Sequence, residues 1–160
     1  RGAKGANFAS DSRNNCKTMK KFSRQISEII IHCTATPRGR DLDVADITRY
    51  HRQHGFETIG YHYLIKIDGT VEQGRDCSFV GAHCLGHNDR SIGVAYVGGL
   101  DSAGRPEDTR TPAQRRSLAG LVARLRSRYN GSSVHGHNEF AAKACPCFDV
   151  SKEFSGRQPS

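Results

Sequence analysis

"GYHYLIKIDGTVEQGR", Gly60 to Arg75, decides how the rest of the chain is read. Tyr61, Tyr63, Ile65 and Ile67 alternate with His62, Leu64 and Lys66, the period of two that a strand imposes. Asp68-Gly69 follows, a dipeptide that tolerates positive φ in a tight turn, and "TVEQGR" returns. The stretch reads as a β-hairpin.

Helical signals flank it. Upstream, Val44, Ile47 and Tyr50/His51 recur at helical spacing over Asp43–His54, with Asp43 placed to cap and Gly55 to terminate. Before that, Ser27–Thr34 is isoleucine-rich and reads as a buried strand, which "PRGRD" breaks. Downstream, "CSFVGAHCLGHNDR" holds too many glycines and polar residues for regular structure and reads as a loop. "SIGVAYVGG" is the next strand, and "LDSAGRPEDTR" a second loop.

"TPAQRRSLAGLVARLRSRYN" is the clearest helix. Thr111 caps it, Pro112 takes the first turn and Gln114 completes a capping box. Leu118, Leu121, Val122, Leu125 and Tyr129 form one apolar stripe, while Arg115, Arg116 and Arg126 lie mostly off it on a solvated face. "SSVHGH" is a short final strand. The order β, α, β, β, β, α, β predicts an α/β fold, a single domain with a mixed central β-sheet flanked by helices.

At 160 residues the chain suits one domain with a full core. We expect it over residues 19–153, between a leader at 1–18 and a disordered tail at 154–160. The leader is polar and glycine-rich, Met19 is the only methionine and the expected natural start, and no signal-peptide pattern is visible. Synthesis in the cytoplasm is therefore expected. No apolar run approaches membrane-spanning length. The net charge of +8 favours polyanions such as anionic cell-wall polymers. Zinc-finger and RNP patterns are missing, so no specific nucleic acid is expected. The six cysteines are too irregularly spaced for a small disulfide scaffold, so mostly free thiols are expected.

The chemistry concentrates in "HGHNEFAAKACPCFDV", His135 to Val150. Two cysteines flank a proline in a polar, turn-prone segment, downstream of two histidines. His32 ends the first strand in "IIIHCTAT". Taken singly, His32 and His137 read most simply as buried, hydrogen-bonded histidines. Together with Cys145 they sit at strand ends or just beyond, where side chains can converge at one edge of a sheet. Two imidazoles and a thiolate suit Zn2+, and three protein ligands leave a position open for water. Cys147 or His135 supplying a fourth ligand would make the site structural instead.

With these residues assembled, the chain resembles the zinc-dependent N-acetylmuramoyl-L-alanine amidases of type 2, the group that includes phage lysozyme-like amidases and is related to the peptidoglycan recognition proteins. The likeness spans about Ser27 to Val150. It rests on the order and spacing of "IIIHCTAT", "GYHYLIKIDGTVEQGR", "VGAH", "SIGVAYVGG", "TPAQ" and "HNEFAAKACPCFD".

The resemblance implies a peptidoglycan hydrolase, of prophage or phage lysis type, that cleaves the amide between N-acetylmuramic acid and L-alanine of the stem peptide. It implies Zn2+ on His32, His137 and Cys145, with Tyr61 and Lys143 at the catalytic centre. Cys147 stands where the family pattern has another small residue. His83, in "VGAH", corresponds to a position near the substrate groove, either contacting substrate or hydrogen-bonded within its loop; Asn88 and Ser91 are expected to shape that loop and the start of the next strand. Peptidoglycan or its muropeptides are the implied partner, and a monomer acting on the cell wall after release or delivery is expected. The alternatives are a non-catalytic peptidoglycan-binding module and a structural-zinc protein; a redox role is disfavoured because "CPC" is not a C-x-x-C pair.

Overall fold

The computed structural model of the chain describes residues 24–155. The expectations for 1–18 and for the end of the tail lie outside the described residues.

Strand β1 (Glu28–Cys33) leads through the two-residue β2 (Thr36–Pro37) into helix α1 (Val44–Gln53). The hairpin strands are β3 (Tyr63–Ile65) and β4 (Val71–Gln73), followed by β5 (Ser91–Tyr96) and the short β6 (Gly99–Leu100). Helix α2 (Pro112–Arg128), β7 (Ser133–Gly136) and helix α3 (Val150–Phe154) complete the order. The main sheet runs β4-β3-β5-β1-β7. Strands β3, β5, β1 and β7 are mutually parallel and β4 is antiparallel at the edge, so the sheet is mixed as expected.

Helices cover both faces of this sheet. On one, Ile29, Ile31 and Cys33 of β1 and Ile92, Val94 and Tyr96 of β5 pack with Leu118, Leu121, Val122 and Leu125 of α2. Burying each aliphatic side chain contributes roughly 1.5–3 kcal/mol. The apolar stripe therefore outweighs the capping box of α2, where a cap contributes roughly 1 kcal/mol. On the other face Ile47 of α1 packs with Ile59, Leu64 and Ala95. A strand covered on both sides reads as a continuous apolar run, which is why "EIII" carries no alternation.

Both capping boxes form: Asp43 with Asp46 on α1, and Thr111 with Gln114 on α2. Gln114 does more than cap. Its buried Nε2 also donates to the carbonyls of Ile65 (3.2 Å) and Val97 (2.9 Å), tying the start of α2 to the ends of β3 and β5. Gly69 takes φ +89° in the hairpin turn, as Asp-Gly predicts.

Three details add to or differ from the sequence reading. Of the pair Tyr50/His51 that the helical spacing leaves undecided, Tyr50 is exposed, and His51 turns inward to accept a hydrogen bond from the Gly60 N–H. The strand "SIGVAYVGG" stops at Tyr96, because Gly98 (φ +134°) and Gly99 (φ +103°) leave extended geometry and the chain re-pairs with β2. Helix α3 is not anticipated by the sequence reading; it carries Phe154, expected as the first residue of a disordered tail, against the main core. It is held by Arg110, whose buried guanidinium bridges Asp108 and Glu153 and lies 3.4 Å from the centre of the Phe148 ring.

Candidate functional site

Parallel pairing delivers the first two site residues to one edge of the sheet. Strand β7 ends with Gly136 opposite Ile31, so His137 is the first residue past β7 and His32 the next residue along β1. Their rings lie 4.5 Å apart. A 3-10 turn over His137–Glu139 then reverses the chain, which returns to the same edge at Cys145. Tyr96 Oη donates to the Pro146 carbonyl at 2.6 Å and anchors that return; the Cys145–Pro146 peptide is cis.

The result is a cluster of three possible metal donors. One nitrogen each of His32 and His137 and the sulfur of Cys145 lie within 4.8 Å of one another. Cys145 Sγ faces His32 Nδ1 at 3.9 Å and accepts the backbone N–H of Cys33 at 3.2 Å. Hydrogen bonding from Cys33 holds the Cys145 thiol below the ordinary thiol range, against burial and with the help of the Lys143 charge. Burial pushes His32 well below the usual imidazole range, and His137 below it too, with Lys143 adding to both. Neutral imidazoles and an easily ionised thiol are the protonation states that metal binding requires.

Cys147 and His135, the other potential ligands, turn elsewhere. Cys147 Sγ donates to the Gly99 carbonyl at 3.3 Å and lies 4.0 Å from Cys33 Sγ. His135 is occupied by Glu139 and Ser133. The five described cysteines are free thiols.

Tyr61 and Lys143 lie beside the cluster. The Tyr61 ring is 5.2 Å from that of His32 and 5.3 Å from that of His51, and burial keeps its phenol protonated by raising its pKa. Lys143 is exposed, on the loop that carries Cys145, close enough for its charge to act on all three donors. His83 enters from the loop before β5, with its Nδ1 2.8 Å from His32 Nε2 and its Nε2 3.2 Å from Ser91 Oγ. Burial, with His62 and His137 nearby, lowers its pKa to about 3. Asn88 Oδ1 accepts the N–H groups of both His83 and Cys84, each at 2.9 Å, so it shapes the loop as expected.

Sequence reasoning overlooked the Cys33 N–H, His51 and the side-chain role of Ser91. Backbone donors carry no residue signature. The His51 contact with Gly60 crosses from a helix to a loop and appears only on folding.

A family model described as N-acetylmuramoyl-L-alanine amidase matches residues 22–148. The endolysin of Klebsiella phage KP32 is 43% identical over 129 residues, covering 81% of this chain and 85% of the relative. The endolysin of Escherichia phage T7 is 44% identical over 124 residues, covering 78% and 82%. Among solved structures, an endolysin N-acetylmuramoyl-L-alanine amidase from Clostridium intestinale superposes with a TM-score of 0.70 at 30% identity, over 82% of this chain and 81% of that one.

Proposed function

The chain belongs to the N-acetylmuramoyl-L-alanine amidase family, and from that premise we propose that it cleaves peptidoglycan at the amide between N-acetylmuramic acid and L-alanine, using zinc held by His32, His137 and Cys145, as a phage-type lysis enzyme. The observation that carries the metal assignment is the convergence of two imidazoles and one thiol within 4.8 Å. The donor set fits zinc: mixed nitrogen and sulfur, three in number, with Cys147 and His135 engaged elsewhere. Three protein ligands with a fourth position open is the catalytic pattern; a structural site would take four.

Bound there, zinc would supply Lewis-acid polarisation of the amide carbonyl and lower the pKa of a water to about 7. The chain's own residues divide the remaining work. Cys33 steadies the Cys145 sulfur as an ionised ligand through its N–H. Tyr61, kept protonated by burial, offers an O–H to the oxyanion that develops as the carbonyl is attacked. The Lys143 ammonium adds positive charge close enough to act on all three donors. None of the helices among the described residues is long and apolar enough to cross a membrane.

The test is digestion of purified peptidoglycan by protein of known zinc content. New free L-alanine amino groups, abolished in a zinc-free Cys145→Ala variant, are the expected result. A tightly held zinc without hydrolysis would overturn the catalytic reading.

A further inference from the structure

The two ring nitrogens of His32 have different neighbours. Nδ1 faces Cys145 Sγ, and Nε2 faces Nδ1 of His83 at 2.8 Å. A neutral imidazole that gives its Nδ1 lone pair to a metal carries its proton on Nε2. That proton has His83 Nδ1 as its acceptor. His83 Nδ1 must then be unprotonated, which puts the His83 proton on Nε2, where it donates to Ser91 Oγ at 3.2 Å. One choice of ligand atom therefore fixes two tautomers in series.

The His83 ring is built into its place. A Cβ on Gly93 would come within 2.7 Å of it, and a Cβ on Gly81 within 2.6 Å. Two glycines thus open a slot of ring thickness between β5 and the loop. Asn88 clamps the backbone of His83, and Ser91 is fully buried at the first position of β5. The ring meets His32 edge-on, at 89° between planes. Both of its nitrogens are engaged inside the protein, which leaves none to read a substrate.

We propose that His83 is a positioning residue: with Ser91 behind it, it holds His32 in the orientation and tautomer that present Nδ1 to the zinc. The proposal rests on the zinc reading above. Metal-bound histidines commonly donate their second N–H to a supporting acceptor, and loss of that acceptor typically weakens metal binding about 10–100-fold.

Two measurements test it. In zinc-loaded wild-type protein, long-range proton–nitrogen NMR of the imidazoles should show His32 and His83 each protonated at Nε2 alone. In chelator competition, His83→Ala should bind zinc about 10–100-fold more weakly, and His83→Asn, whose side-chain oxygen stands near the lost Nδ1, should recover part of the loss. A His83 proton on Nδ1, or a folded His83→Ala variant with wild-type zinc affinity, overturns the proposal. Should His83→Ala fail to fold, the NMR result on the wild type decides alone. A wild type that takes up no zinc removes the zinc reading and this inference together. A wild type that binds zinc and cleaves, beside an unaffected His83→Ala variant, removes only the inference.

Discussion

Cys147 Sγ lies 4.0 Å from Cys33 Sγ, two residues after Cys145 Sγ has turned to His32 Nδ1. Between the two cysteines the chain changes direction, with Cys147 at φ +70°, in the left-handed region. Two thiols of one "CPC" are thereby given different partners. Cys145→Ser should weaken zinc binding by more than the roughly 100-fold expected from loss of a supporting residue, and abolish amide cleavage. Cys147→Ser should keep both. Metal content after dialysis, with amino-group release, checks the pair.

The role proposed for Tyr61, donating a hydrogen bond to the oxyanion, is one that zinc binding does not need. Tyr61→Phe should leave zinc content unchanged and lower kcat about 10²–10³-fold, the usual effect of removing one donor to a developing oxyanion. Steady-state kinetics on soluble muropeptides measures this. An unchanged kcat would remove Tyr61 from the chemistry.

Gly93 has no side chain because the His83 ring occupies that space. Gly93→Ala should destabilise the protein by about 1–3 kcal/mol, the range for overpacking a buried site. It should also weaken zinc binding. Gly86 has open space around it, so Gly86→Ala meets only the strain of its φ of +83°. It should cost about 1–2 kcal/mol and leave zinc binding intact. Urea midpoints and zinc competition separate the two variants.

Arg110, in the loop before α2, joins Asp108 of that loop to Glu153 of α3. Arg110→Ala should cost about 2–3 kcal/mol, because hydrogen bonds to charged groups are lost and only the half-exposed Arg115 remains between the two carboxylates. Burial pushes the Asp108 pKa up, but hydrogen bonds and charge from Arg110, with Arg115, outweigh it and hold the carboxyl below its usual range. A lowered folded pKa means that the stabilisation is complete above the unfolded value of about 3.9 and is lost as pH falls through the folded value. The destabilisation caused by Asp108→Asn should therefore be largest near neutral pH and shrink below about pH 4. Urea unfolding at pH 7 and in acid tests that sign.

The regular elements were legible because their causes are local. Period-two alternation with Asp68-Gly69 marked the hairpin, and the cap at Asp43 and the capping box at Thr111 marked both long helices. The α2 stripe of Leu118, Leu121, Val122 and Leu125 was read as core and is buried. Helix α3 escapes a sequence reading because its five residues carry little periodicity, and its contact with Arg110 through Glu153 joins residues far apart in the chain. Between Tyr50 and His51 the sequence leaves the choice open, because helical spacing cannot separate two adjacent residues on the rim of a stripe.

For the site, the residue types and their strand-end positions were visible in the sequence, as was the family resemblance that grouped them. The sequence by itself supplied the candidate donors: His32, His137 and Cys145, with Cys147 and His135 beside them, are chemical identities, and no packing can change what an imidazole or a thiol binds. Only the tertiary structure decided how those donors are used. Parallel pairing of β1 with β7 sets His137 beside His32; a chain reversal turns Cys145 in and Cys147 away; and the slot at Gly81 and Gly93 aims His83 at His32. Hydrogen bonds and metal ligation depend on distances of a few ångströms between residues far apart in the chain, and those distances exist only once the sheet has formed.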